Sequence, residues 1–367
     1  MDKNTNSLFS PKDINGLVAK NRLAVAPMTR ITATDDGRAT ETMARYYERF
    51  ARGGFGMVIS EGIYPDLAFS QAYLYQPGIA DETQATAWKP IVAGIRAHGA
   101  LAVAQLMHAG ALSQGNRFRH HTVGPSSMQP KGTQLEFYYG KDRYAIPSEM
   151  TVEQITEAIA GFANAAERAV HIAGFDAIEI HGANGYLLDQ FLTDYTNART
   201  DRWGGSTLRR LQLTLDTFKA VRAKVGAHVP VGVRISQGKV NDFHHKWFGG
   251  EADAELIFGS LADAGIDFIH VTEFEAWQPA FAEGGSSLMR LAKRFAPNVT
   301  VLANGGLHDI TRATAALDDG ADIVTFGRAA LANPDLPRRV SDKVPLNSFD
   351  PTILGPIANI KDVELVP

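Results

Sequence analysis

The chain has 367 residues, 45% of them hydrophobic, no cysteine and a formal charge of −4 at pH 7. The missing cysteines exclude disulfides, thiolate nucleophiles and cysteine-held iron–sulfur clusters. The mild charge gives no electrostatic reason for a nucleic-acid or anionic-membrane partner. The opening "MDKNTNSLFSPKD" has no basic start followed by an apolar block, and no apolar run has bilayer-spanning length. The expectation is a soluble, cytoplasmic protein.

In chain order, "LFSPKDINGLVAKN" predicts a short hairpin around residues 14–16 that plugs a barrel floor. Eight β-rich apolar runs follow, at 23–30, 56–62, 101–108, 176–183, 229–236, 267–273, 300–306 and 323–328. Each begins almost continuously apolar, as a strand covered on both faces does, and each ends in polar or glycine residues. Between the third and fourth runs, 111–148 is rich in Gly, Pro and aromatics and reads as a loop excursion over a barrel mouth. Thr151 and Gln154 match a capping box that opens a helix running towards His171. In 206–226, Leu208, Leu211, Leu215, Phe218 and Val221 recur at three- and four-residue spacing as one apolar stripe. "GEADAELIFGSLADAG" and "DITRATAALDDG" stop at glycines. Eight strands alternating with helices predict a single closed (β/α)8 barrel. The alternative is an open doubly wound sheet, expected to carry a glycine fingerprint after its first strand; "APMTRIT" has none. The length would allow two or three domains, but we expect one over 1–367, with the excursion at about 111–148 and a tail at about 341–367.

Such barrels do their chemistry at the C-terminal ends of the strands. Those ends offer Thr29 and Arg30, Glu61, Gln105 and His108, His181 and Asn184, Arg234, Glu273, Asn304 and Arg328. No carboxylate pair suits glycoside chemistry and no lysine suits a Schiff base. "NGG" (304–306) and "GR" (327–328) close strands seven and eight, the pair that often cradles a phosphate. Either alone would serve as a tight turn. Together they point to a phosphate site, with glycine backbone N–H groups and an arginine as donors.

"HGANGYLLDQFLTDYTNARTDRWGGS" (181–206) resembles the signature of the old yellow enzyme family, flavin-dependent ene reductases built on one (β/α)8 barrel. "APMTR", "QLMHAG", "VGVRIS", "NGG" and "FGRAALANPDLP" follow the same family's motifs and order, over roughly residues 8–340. The resemblance implies tightly but non-covalently bound FMN, NAD(P)H as reductant, and small activated alkenes as substrates. It implies that His181 and Asn184 hold the substrate oxygen and that Tyr186 delivers a proton. Thr29 and Gln105 would bond the flavin, and Arg234 would sit by the part of the ring that becomes anionic. Asn304, Gly305, Gly306, Gly327 and Arg328 would hold the phosphate, with backbone around Pro27, Met28 and Gly62 along the ring. Met107 stands where the family often has tryptophan, on the substrate pocket. The tail lacks the tyrosines many relatives use to close the site. Phe137, Tyr138 and Tyr139, or Phe274, Trp277 and Phe281, are the candidates for that wall.

The chemistry fits independently. Hydride addition to an activated alkene needs a polarised oxygen, a hydride source no side chain can be, and a proton donor. An arginine offsets the cost of a flavin anion in a dry barrel. Two rivals stay open: a flavin barrel that oxidises a small substrate, which wants a base at the mouth, and a non-catalytic phosphate-ligand-binding barrel. The pairs His120–His121 and His244–His245 lie in polar loops with adjacent rings pointing apart, so no metal is expected. "DRWGG" (201–205) reads as a structural turn before a helix.

Overall fold

In a computed structural model, which describes residues 5–365, the chain opens with strands β1 (Lys12–Ile14) and β2 (Leu17–Ala19), paired antiparallel. The turn between them uses Asn15 and Gly16, both at positive φ. The barrel strands are β3 (Leu23–Val25), β4 (Met57–Ile59), β5 (Leu101–Leu106), then, past a two-stranded parallel clip of β6 (Val123–Gly124) and β7 (Ser148–Glu149), β8 (Ala177–Asn184), β9 (Val231–Lys239), β10 (Phe268–Thr272), β11 (Thr300–Asn304) and β12 (Ile323–Phe326). The eight pair in parallel in the order β10-β11-β12-β3-β4-β5-β8-β9, and β9 pairs back to β10, closing the barrel. No helix among the described residues is long and apolar enough to cross a membrane.

Two apolar layers hold this arrangement. Outward-facing Val58, Ile178, Ile180 and Val233 pack under the helices against Phe162, Phe218 and Ile257. Inside, Ala24, Met57, Ile59, Val103, Ala177, Phe268, Leu302 and Ile323 fill the barrel floor, and Ile14 of the hairpin packs into the same cluster. The hairpin is therefore the predicted plug. The floor is tight enough that a Cβ on Gly232 would fall 2.1 Å from the Phe268 ring. Above it the interior turns polar, with Gln105, Glu179, His181, Arg234, His270 and Thr325 all buried.

Most barrel strands are shorter than their apolar runs: β3 ends at Val25, so residues 27–30 lie in the loop beyond it. The helix Val152–Arg168 carries the predicted capping box and continues as a π turn to Ala173. Helix Thr207–Val225 buries Leu211, Leu215, Phe218 and Val221, but Leu208 is exposed. It occupies the helix's first turn and drops out of the stripe. The 201–205 segment is a turn, anchored by Asn197, whose amide donates to the carbonyls of Phe191 and Trp203.

Candidate active site

Strand β8 turns its end into a site by breaking its own regularity. Its register with β9 shifts between Gly182 and Asn184, and Asn184 sits at φ 61°, a left-handed conformation uncommon for a side-chain-bearing residue. The backbone is clamped there from both sides. Asn184 N–H donates to Ser236 Oγ (2.8 Å), and its carbonyl accepts from Val240 N–H (3.1 Å). Gly185 N–H donates to Asp189 (2.6 Å), whose carboxylate also takes two contacts from Lys239 Nζ (2.9 Å each). Strain held by surrounding bonds is the usual mark of a functional turn. It carries the chain directly into Tyr186, which precedes the helix Leu187–Leu192.

His181, Asn184 and Tyr186 consequently line one cavity of about 300 Å³, with Pro27, Met28, Thr29, Gln105, Met107, Arg234, Gly327 and Arg328. A neighbouring cavity of about 410 Å³ is lined by Asn304, Gly305, Gly306 and Trp277. The two share Asn184, Arg234, Val240, Gly327 and Arg328, so they form one cleft across the barrel mouth. Of the residues expected to contact cofactor or substrate by the family motifs, Gly62 alone lines neither part. It lies behind Met107, whose Sδ would stand 2.7 Å from a Cβ at that position.

Protonation states follow from burial. The His181 imidazole is pushed well below its usual pKa by burial, then by the Arg234 cation, and is neutral at pH 7. Burial raises the Tyr186 phenol, so it keeps its proton. Its hydroxyl lies 2.7 Å from that of Tyr73, and its ring stands edge-on to His181 at 5.0 Å between centroids. Arg234 donates through Nη2 to Thr272 Oγ1 (3.1 Å) and Asn304 Oδ1 (2.9 Å).

Two buried polar atoms of this cleft have no partner among the described residues: His181 Nδ1 and Arg234 Nε. Buried polar atoms left bare are costly, and a ligand carrying oxygen or ring-nitrogen groups would partner them. At the other end Gly305 and Gly306 have φ of +131° and +62°, and a Cβ on Gly305 would fall 1.9 Å from the Glu273 carbonyl oxygen. Only glycine allows this approach, which bares backbone in the cleft beside Arg328. The donor set thus fits a long ligand with a phosphate at one end and a hydrogen-bonding ring at the other, as FMN has.

The other strand ends do structural work. Arg30 turns away to pair with Glu364 and the tail carbonyls of Ala358 and Asn359. Glu61 accepts from the backbone N–H groups of Arg30 and Ile31 (2.9 and 3.1 Å). His108 Nδ1 accepts from Gly110 N–H (3.1 Å). Glu273 accepts from Gln237 N–H (2.9 Å) and Lys246 (3.2 Å). His121 packs on Phe69 and His245 on Tyr195; among the described residues no three His, Asp or Glu side chains group as metal ligands would.

The wall left open by the tyrosine-free tail is supplied by Phe137 and Tyr138, with Leu354 of the tail. Tyr138 donates to the Thr29 carbonyl (3.0 Å), while Tyr139 stays exposed against Tyr75. Phe274 and Trp277 line the phosphate-side cavity, and Phe281 packs on Trp247. Tyr73, fully buried and stacked 4.4 Å from Tyr138, is a site residue the sequence did not disclose.

A closed parallel barrel whose mouth joins a glycine–arginine cradle to the neutral, hydrogen-bonding side chains of His181 and Asn184 fits a flavin-dependent oxidoreductase. Comparison with known proteins gives the family. Residues 7–347 match the NADH:flavin oxidoreductase / NADH oxidase family, and the chain belongs to it. It is 34% identical to 12-oxophytodienoate reductase 1 of Oryza sativa subsp. japonica over 353 residues, covering 94% of this chain and 88% of that protein. The old yellow enzyme homologue of Zymomonas mobilis superposes with a TM-score of 0.83 at 31% identity over 98% of both chains. Morphinone reductase in complex with tetrahydroNAD gives 0.83 at 30% identity, covering 95% and 94% of the two chains.

Proposed function

We propose that the protein is an FMN-dependent ene reductase in which NAD(P)H and an α,β-unsaturated carbonyl or nitro compound use the same cavity in turn, with Tyr186 as proton donor. FMN, which Gln105, Arg234 and the glycine–Arg328 cradle would hold, would supply the hydride chemistry between nicotinamide and the alkene Cβ that no side chain can perform. The observation that carries the reading is the convergence of His181, Asn184 and Tyr186 from one strand end onto a cavity shared with Arg234.

Each residue has a task in this reading. His181, neutral and with a bare Nδ1, pairs with Asn184 to hold the substrate oxygen as negative charge develops on it. The phenol of Tyr186 stays protonated until Cα needs a proton. Gln105 and Arg234 serve the polar edge of the flavin, and Pro27, Met28 and Thr29 serve its ring. Asn304, Gly305, Gly306, Gly327 and Arg328 serve its phosphate. Met107 lines the substrate side, and Gly62 contributes indirectly by leaving room for the Met107 side chain. The chain acts as one FMN-binding domain, and reliance on NAD(P)H argues for the cytoplasm as its working compartment.

A substrate-oxidising flavin barrel would want a free base at the mouth. Glu273 is engaged by Gln237 and Lys246, and Glu61 by backbone N–H groups behind the cleft, so neither serves. The test is a visible spectrum of purified protein, then anaerobic reduction by NAD(P)H and reoxidation by activated alkenes. The expected protein is yellow, releases FMN on denaturation, and is reoxidised by 2-cyclohexenone-type enones. A colourless protein that takes up no added FMN sinks the proposal.

A further inference from the structure

Beneath the cleft, polar side chains with no part in the reaction above bond across the barrel interior. Glu179 on β8 and His270 on β10 are fully buried, and their strands are not neighbours, so the 2.7 Å bond from Glu179 Oε2 to His270 Nδ1 crosses the interior. Thr325 of β12 meets His270 Nε2 at 3.0 Å. The other carboxylate oxygen, Glu179 Oε1, accepts from Gln105 Nε2 at 2.7 Å.

An ionised carboxylate only accepts hydrogen bonds. Only the NH2 end of Gln105 can therefore face Glu179, which leaves one N–H and the carbonyl oxygen of that amide for the cavity Gln105 lines. The same logic puts the His270 proton on Nδ1 and lets the Thr325 hydroxyl donate to Nε2, so the ring stays neutral, as its burial also demands. Burial works against the ionised Glu179, but His270, Arg234 and Gln105 outweigh it and hold the carboxyl below its usual range. Two opposite charges remain, Glu179 below the cleft and Arg234 lining it. They are not an ion pair, since Arg234 donates to Thr272 and Asn304. They act on the cleft through a low-dielectric interior, where such fields are weakly screened.

We propose that Glu179 is the positioning and charge-setting residue of the FMN site: it dictates which end of the Gln105 amide meets the cofactor, and its carboxylate holds the reduction potential of bound FMN low. This rests on the FMN site proposed above. Reduction adds negative charge to the cleft; Arg234 favours that charge and Glu179 opposes it. The opposition makes the reduced cofactor a stronger hydride donor to the alkene.

Glu179→Gln isolates the charge. The new amide accepts from Gln105 and donates to His270 Nδ1, and the ring moves its proton to Nε2 to donate to Thr325. The variant should retain FMN while its midpoint potential rises by about tenfold in the reduction equilibrium, ~30 mV for a two-electron couple. Glu179→Asp keeps the charge but shortens the reach to Gln105. It should keep a potential near wild type while its FMN Kd rises about tenfold. An unchanged potential in Glu179→Gln, or equal shifts in both variants, overturns the proposal. If Glu179→Gln does not hold flavin, Glu179→Asp decides alone, and wild-type FMN affinity there overturns it. Wild-type protein that binds no FMN instead refutes the underlying site.

Discussion

The Tyr186 phenol is buried, neutral and 2.7 Å from a second phenol, that of Tyr73. Tyr186→Phe keeps the ring against His181 and removes only the hydroxyl. Flavin reduction by NAD(P)H should stay close to wild type, and reoxidation by an enone should slow by roughly 10²–10⁴, the worth of one positioned general acid. Stopped-flow measurement of both half-reactions decides it; equal slowing of the two would mark a packing defect. A second residue-scale effect concerns pH. Burial pushes Glu61 up to about 7, against the backbone N–H groups of Arg30 and Ile31 and the Tyr47 hydroxyl, from 4.5 in the unfolded chain. Between those values the native state holds a proton the unfolded chain has released. Stability contributed by Glu61 is therefore complete below about pH 4.5 and is lost as pH rises through about 7, on the order of 3 kcal/mol in all. Urea unfolding at pH 5 and pH 8 should show wild type losing more stability than Glu61→Gln; parallel losses would rule Glu61 out. His181, Asn184 and Tyr186 were legible because one strand end carries all three. Tyr73 was not, because it lies 113 residues from Tyr186 in a loop without periodicity, and only tertiary packing brings the hydroxyls together.

At the scale of elements, the barrel strands and the plugging hairpin were readable from apolar runs and turn residues. The strand ends were overestimated because the chain stays buried or half-buried from Ala26 to Arg30 after the ladder stops. Burial there comes from the tail, whose hold on the barrel has no periodic signal. Two arginines from separate elements, Arg30 after β3 and Arg49 in the helix Glu41–Arg52, converge on Glu364. The same tail bonds the excursion through Ala358 N–H to the Phe137 carbonyl (2.9 Å) and presents Leu354 to the cleft. Removing the one carboxylate leaves two cations nearly out of water without their counterion, a change that costs about 3–5 kcal/mol for a buried pair. Glu364→Gln should show that loss in chemical unfolding and should raise the enone KM more than it lowers kcat, because the tail lines the pocket and does not touch the reacting atoms. An unchanged unfolding midpoint would show that the tail is not fastened at this point.

For the whole molecule, the cleft divides its ligand between opposite sides of the mouth: Gln105 and His181 from β5 and β8, and the cradle after β11 and β12. A ligand spanning both should tie the barrel's two sides together and stabilise the fold by mass action. At a concentration of 100 Kd the gain is about 2.7 kcal/mol. For a chain of 367 residues that amounts to a Tm rise of roughly 3–4 °C. The size of the rise should depend on the phosphate. Riboflavin offers the same ring edge to Gln105 and Arg234 but nothing to Gly305, Gly306, Gly327 or Arg328. At equal concentration it should therefore shift Tm clearly less than FMN. Arg328→Ala should reduce the FMN shift towards the riboflavin value while leaving the riboflavin shift nearly untouched, because the lost guanidinium has no carboxylate partner among the described residues and its removal strands no other buried charge. Thermal scans of apo-protein with each ligand, for wild type and variant, measure all four shifts. Equal shifts for FMN and riboflavin on wild type would show that the glycines and Arg328 make turns and nothing more.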